Sequence, residues 1–492
     1  MTPLSIRLSG TSPAATRSTG IGPARRRRGA LACAGLFGAL AALAGLSGEA
    51  TAQSAKGRQY TPPNYVFSPF VPKDLVTHDV GAIGFQPFVD ILAWETFIAL
   101  NWPAPNPIVQ RGVPDPQNVI GGFLSGGGEG GKPSSMPVGP VVWETFKDTT
   151  DIYLNPPVRP TPFDTPESVP PACKTVAAAN PAAARRTLTM TSKFGEIINS
   201  ITQADGNRLV DQNRMNVWYE IKLNRVYYDY VVANGFYNSA NQKGKTIAFP
   251  VSSNSTARDA TIKIKAAWKV IGLLGSRQPD DPAKFYTTEA LVLDPATGQC
   301  AKQLLGLVGL HIVMKTAQLP QWMWATFEHI DNAPDQATGP ASGKKYNFFG
   351  ADCAGCPLNQ PPAKGSQFPT QVVRVIPVNN VAASNNALYR AALQTLRPDN
   401  VWQNYQLVDA QWGASPTPIG QPNQPKFLAN TTLETYVQQP VAPNGCINCH
   451  GAFAASTDLD FQLQNAYPQS GTTLRGLAEM VKLPGIATPR GK

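Results

Sequence analysis

Histidine and cysteine are scarce in this sequence: 492 residues contain four His and seven Cys. Metal or thiol chemistry therefore has few places to sit. No nucleophile elbow and no dinucleotide fingerprint occurs. Gly126-Gly-Gly-Glu-Gly-Gly131-Lys132 comes close to a phosphate-binding loop, but Pro133 stands where a hydroxyl would hold magnesium. That stretch reads as a plain loop. Beyond residue 46 no apolar run approaches the roughly 20 residues of a spanning helix. A large charge of one sign is also missing. The formal charge is +10, but residues 1–52 hold six Arg and one Glu. The remainder has 36 basic and 31 acidic residues, too even a balance for a nucleic-acid-binding surface.

The first 52 residues look like an export leader. Arg25 to Arg28 form a basic region, residues 30–46 are apolar, and Ala50-Thr51-Ala52 supplies a small-residue cleavage pattern. Gln53 is then the expected start of the mature chain, with no membrane span after cleavage. Cys33 lies at the start of the apolar stretch and not after it, which excludes a lipid-anchored cysteine. The expected location is the periplasm of a Gram-negative-type cell envelope.

Export makes the cysteine count informative. The mature chain keeps Cys173, Cys300, Cys353, Cys356, Cys446 and Cys449. The last two belong to Cys446-Ile447-Asn448-Cys449-His450, the c-type haem attachment pattern. Two thiols spaced in this way each add to one vinyl group of a haem. The adjacent imidazole then lies beneath the ring as proximal ligand. The expectation is one covalent haem c, with Cys446 and Cys449 as thioether residues and His450 as the axial iron ligand. A structural zinc site is the alternative and would need further ligands, which Cys353 and Cys356 could supply. Four cysteines remain, an even number that suits disulfides in an oxidising compartment. A local Cys353–Cys356 bridge would leave Cys173 to pair with Cys300, although three pairings are open.

Proline and glycine are plentiful, 46 and 42 residues, and imply many loops. Between them, apolar clusters rich in Trp, Tyr and Phe recur, as in a folded body. Residues 88–100 predict a helix stopped at Asn101-Trp102-Pro103. Residues 215–237 are aromatic and apolar, with a helix that Asn234-Gly235 ends. Alternation over 260–270 predicts a strand. Residues 285–293 and 300–315 flank a hairpin loop, 322–330 adds a strand, and 371–378 is a short strand candidate. Residues 384–396 predict a helix, and Thr431-Thr-Leu-Glu434 has the form of a capping box opening a helix over 433–438. The tetrad Trp-Glu-Thr-Phe occurs at 94–97 and 143–146 without matching flanks, so it marks two packing segments and not a repeat. The expected class is α+β: a strand-rich mixed body over 53–427, and a small, mainly helical or irregular haem-binding segment over 428–492 packed on it.

The sixth iron position has several candidates. Only 42 residues follow His450, too few to wrap a haem alone, so the body must cover part of the ring. Met480 lies downstream. Upstream, His311, Met314, Met323 and His329 cluster, although the cluster reads first as a core strand pair whose histidines make ordinary hydrogen bonds. Glu328 and His329 are adjacent in a predicted strand and so face opposite ways.

The chain resembles large exported bacterial proteins with a C-terminal cytochrome c signature. The resemblance lies in Trp94-Glu-Thr-Phe-Ile-Ala-Leu-Asn-Trp-Pro103, Val142-Trp-Glu-Thr-Phe-Lys147, Ile264-Lys-Ala-Ala-Trp-Lys269, Gly309-Leu-His-Ile-Val313, Ala325-Thr-Phe-Glu-His-Ile-Asp-Asn332 and Leu433-Glu-Thr-Tyr436. It implies haem binding at Cys446, Cys449 and His450, and brings no substrate with it. The expected role is single-electron transfer, with a redox partner protein or a small-molecule electron donor or acceptor. A haem enzyme of peroxidase or oxygenase type, with an open distal site, is the alternative.

Overall fold

The computed structural model describes residues 4–6, 65–77, 84–105, 110–115, 140–189, 207–294, 297–350, 356–363, 366, 368–413, 424–441 and 444–468. Most of the expected leader, the glycine-rich loop at 126–133, Cys353 and Met480 lie outside them. The fold is α+β, as the sequence predicts.

Eight strands form the main sheet: β1 (Lys147–Asp148), β2 (Thr187–Leu188), β3 (Trp218–Leu223), β4 (Thr261–Val270), β5 (Thr287–Leu293), β6 (Cys300–Lys315), β7 (Met323–His329) and β8 (Tyr405–Gln411). Their order is β8-β7-β6-β4-β3-β1, and β5 pairs the first part of β6 and carries β2 on its far side. All pairings are antiparallel except β2 with β5. The hairpin predicted around 294–299 is present, with Leu293 opposite Cys300.

Period two assigns the faces. One face is covered by two helices, α1 (Gln86–Leu100) and α4 (Asn380–Leu396). Their seam is aromatic. Trp94 stacks on Tyr389 at 4.9 Å and meets Phe327 of β7 edge-on at 5.1 Å, while Phe97 stacks on Phe327 at 4.3 Å. The other face carries the C-terminal segment, with α5 (Cys446–Ala454) and α6 (Phe461–Gln464). Both faces are therefore covered, and all ten residues of β4 are buried despite their alternation of Lys with apolar residues. Two of its lysines meet acids, Lys263 at 2.6 Å from Asp460 and Lys269 at 2.6 Å from Asp280, and Lys265 lies over the Tyr219 ring, 5.1 Å from its centroid.

Two local readings need correction, at 371–378 and at 431–434. The helix expected within 215–237 is present as α3 (Arg225–Ala233) with Asn234 as its C-cap, and β3 precedes it. Asn224 separates the two, its side chain accepting from the Tyr227 N–H as an N-cap. Residues 371–378 make isolated bridges only, from Gln371 to Leu358 and from Arg374 to Asp335. Arg374 is instead a side-chain anchor that pairs with Glu328 and, at 2.9 Å, with Asp335. The capping box at 431–434 opens no helix. The Thr431 hydroxyl goes to Glu328 of β7 at 2.8 Å, and Glu434 accepts from the Asn430 N–H at 3.1 Å and meets His311 at 3.2 Å. Tertiary partners have taken the groups a cap would use. This turn crosses β6 at Gly309, where a Cβ would collide with the Thr432 hydroxyl.

The repeated tetrad adopts two structures. In α1 its Trp94 donates to Asn386 at 3.1 Å. At 143–146 it lies in a 3-10 turn (Val142–Thr145), where Trp143 donates to Asn101 at 3.0 Å. Cys173, at the start of the short helix α2 (Lys174–Ala179), and Cys300 are disulfide-bonded with Cα atoms 5.2 Å apart. Cys356 is also disulfide-bonded.

α1 and β8 bury a carboxyl pair. One Gln86 amide nitrogen donates to Asp90 at 2.8 Å and to Asp409 at 2.9 Å. Burial pushes the Asp90 carboxyl well above its usual range, and the Asp409 charge adds to this. Burial pushes Asp409 up to about 7. A carboxyl protonated more readily in the folded chain contributes full stability below its ordinary value of 3.8, and loses it as pH rises through about 7. Asp409→Asn should therefore stabilise the protein at pH 8 by about 2–4 kcal/mol and change little at pH 4. Urea midpoints at the two pH values measure this, and equal effects at both would show that the pair does not titrate in this range.

Candidate haem-binding site

The helix that carries the motif begins at Gly445. Its φ of +109° suits glycine, and a Cβ there would stand 3.1 Å from the Lys426 carbonyl. The sheet ties down this helix start. Gln411, the last residue of β8, accepts from the Ile447 N–H at 2.7 Å and donates to the Pro425 carbonyl at 2.7 Å. Cys446 and Cys449 then lie three residues apart on α5, on the same side of the helix. Both thiols are partly exposed and outside any disulfide.

His450 is only 7% exposed. Its ring sits between Trp324 of β7, at 4.3 Å, and Phe461 of α6, at 4.5 Å. Nδ1 lies 2.8 Å from the Leu459 carbonyl. A carbonyl can only accept, so Nδ1 carries the proton, and in a neutral imidazole the lone pair is then on Nε2. This arrangement fits an axial ligand, whose second nitrogen is commonly fixed by a carbonyl or a carboxylate. The residues present therefore fit a covalent haem: Cys446 and Cys449 would hold the porphyrin, and His450 the iron.

The turn that offers the carbonyl is held by the sheet. Asp458 pairs with Lys315, the last residue of β6, and accepts from the Phe249 N–H at 2.7 Å. The Asp458 carbonyl accepts from the Trp322 indole at 3.0 Å. Asp460 accepts from Lys263 at 2.6 Å, from the Tyr227 hydroxyl at 2.9 Å and from the Leu463 N–H at 2.6 Å. Lys263 lies over the rings of Trp322 and Trp324, 4.7 and 5.2 Å from their centroids. Ile447, Leu459 and Leu463 join the same apolar core as those tryptophans, Phe249 and Tyr227.

The upstream candidates for the sixth position separate by face. Trp324, which touches His450, points to the C-terminal side of the sheet, so Met323 points to the other. Met314 is opposite Met323 in the ladder and receives the Thr96 hydroxyl of α1. His329 is also on the helix side, stacked on Phe285 at 4.3 Å, with Nε2 donating to the Lys284 carbonyl and Nδ1 accepting from Asp331. Burial lowers its pKa to about 4, so it is a neutral core histidine. Among these four, only His311 shares the face of Trp324. Asp458, Asp460, Lys263 and Lys315 escape a motif-based reading. The available signal was the alternation of Lys with apolar residues in β4, a row of cations that a covered face must match with acids.

No family model matches the chain, and neither a curated protein nor a solved structure matches it.

Asp460 is fully buried, and Asp460→Ala would strand Lys263. We expect a loss of about 3–5 kcal/mol in urea unfolding. Lys263→Met in the same chain should recover part of it, and a single-variant loss below about 1 kcal/mol would show that the pair does not hold the segment.

Proposed function

We propose that this chain is an exported, periplasmic c-type cytochrome that carries one covalent haem and transfers single electrons. The observation that carries the reading is a Cys-x-x-Cys-His helix with both thiols on one side, outside any disulfide, and with the histidine Nδ1–H committed to a backbone carbonyl. A haem bound there supplies a one-electron ferric/ferrous couple. The chain's own part is to tether it through Cys446 and Cys449, to orient the His450 imidazole, and to keep water from that ring with Trp324 and Phe461. Two further facts support the reading over zinc. Cys356 is in a disulfide and so withdrawn from the thiolates a zinc site would draw on. Among the described residues, no three His, Cys, Asp or Glu side chains converge as a metal cage. The Cys173–Cys300 disulfide suits an exported chain. The electron partner is a redox protein or a small-molecule donor or acceptor.

The test uses the full chain, exported in a host that attaches haem to cytochromes. After denaturation the polypeptide should retain the mass of one haem and its porphyrin absorption, and Cys446→Ala with Cys449→Ala should lose both. A polypeptide without porphyrin, or with zinc on those sulfurs, overturns the proposal. A ferric spectrum that shifts readily with cyanide would replace the carrier reading with that of a haem enzyme.

A further inference from the structure

The turn between α5 and α6 is an expensive piece of backbone. Asp458 and Leu459 are both left-handed, with φ of 57° and 65°. Each costs about 1–2 kcal/mol for a residue with a Cβ. Glycine at either position would remove that cost. The chain instead uses an aspartate, whose carboxylate takes Lys315 and the Phe249 N–H, and whose carbonyl takes the Trp322 indole. On the far side Asp460 takes Lys263, the Tyr227 hydroxyl and the Leu463 N–H. Within the turn the Leu459 N–H donates to Ala454 at 2.9 Å, and the Asp460 N–H donates to Thr457 at 3.1 Å. Thr457 Oγ1 donates to the Asp460 carbonyl at 2.8 Å. Between these anchors the Leu459 carbonyl meets His450 Nδ1. Local strain persists where its surroundings over-determine it, and it gathers at functional positions.

We propose that Asp458, held by Lys315, is a positioning residue that fixes the Leu459 carbonyl against the His450 Nδ1–H and thereby sets the orientation and basicity of the imidazole as an iron ligand. This rests on the haem reading above. A firm hydrogen bond at Nδ1–H moves electron density toward Nε2 and makes the ring a better donor. A better donor favours the ferric over the ferrous state, so the anchored turn lowers the midpoint potential. Releasing the anchor raises it.

The holoprotein provides the test. Wild type is first denatured and weighed, and absence of haem at this step overturns the haem reading before any variant is made. Asp458→Asn keeps the size and the left-handed tolerance of the side chain but loses the charge paired with Lys315. Asp458→Gly adopts this backbone without strain, so it folds with the anchor gone even where Asp458→Asn does not. Lys315→Gln removes the cation, and Lys315→Arg retains it. Asp458→Asn, Asp458→Gly and Lys315→Gln should keep their covalent haem and shift the ferric–ferrous equilibrium about tenfold toward ferrous, about 59 mV for one electron. The His450 Nδ1 proton should exchange faster in these three by NMR, and Lys315→Arg should return both readouts toward wild type. Haem-loaded variants with wild-type potential and wild-type proton exchange would overturn the inference and leave the haem reading standing. A turn that serves stability alone would lower the urea midpoint and move neither readout.

Discussion

Two lysines on the covered face of the sheet, Lys263 and Lys315, govern how the C-terminal segment sits. Lys263 is buried, and its ammonium is matched by Asp460. Lys315 is matched by Asp458. An unmatched ammonium in such a place costs several kcal/mol, whereas a matched pair roughly breaks even against apolar packing. The pairs therefore add little net stability, but they penalise misplacement heavily. The segment is free to pack its Ile447, Leu459 and Leu463 against the sheet in only one register, the one that brings each acid to its lysine. Apolar contact supplies adhesion and the ion pairs supply position. The His450 ring, which meets the carbonyl of Leu459 between Asp458 and Asp460, depends on the second.

Much of this was legible in the sequence, and the exceptions share one cause. α1, β4, the β5–β6 hairpin, β7 and α4 follow from periodicity, because their patterns are long and their boundaries are marked. The motif singles out Cys446, Cys449 and His450 by spacing alone, and the structure sets all three on one helix, α5. The failures came where a side chain was claimed by a distant partner. Thr431 and Glu434 have the spacing of a helix cap, yet β6 and β7 take them for His311 and Glu328. Arg374 sits in a run that looks like a strand, yet it serves as an anchor for Glu328 and Asp335. Local pattern has no access to a partner many residues away, and tertiary contact outweighs propensity of this size.

Face parity resolves what residue type cannot. The stretch that contains Trp322, Met323 and Trp324 attracts notice for its methionine, which is a possible iron ligand. In a strand, neighbours point to opposite faces. Once Trp324 lies against His450, Met323 must point toward α1 and α4, where Met314 stands beside it in the ladder. The same parity sends Glu328 to the C-terminal face, where Thr431 meets it, and His329 to the other, where Phe285 does. Residues of interest in the sequence thus become core, and two unremarkable lysines, Lys263 and Lys315, become the seat of the site.

One strand joins these features. β6 runs 16 residues from Cys300 to Lys315. At the usual rise of a strand this spans about 50 Å. Its first residue is disulfide-bonded to Cys173, and its last holds Asp458. Between them Gly309 allows the turn at 430–434 to cross the sheet in contact with its backbone. The strand therefore meets the C-terminal segment at the crossing turn and at the clamp at Asp458, and is fixed at its far end by a covalent bond. From Gly309 to Met314 it is paired on both edges, with β4 on one side and β7 on the other, so this part has little freedom to bend locally. A seat built on such a strand places the helix that carries Cys446, Cys449 and His450 by reference to the middle of the body.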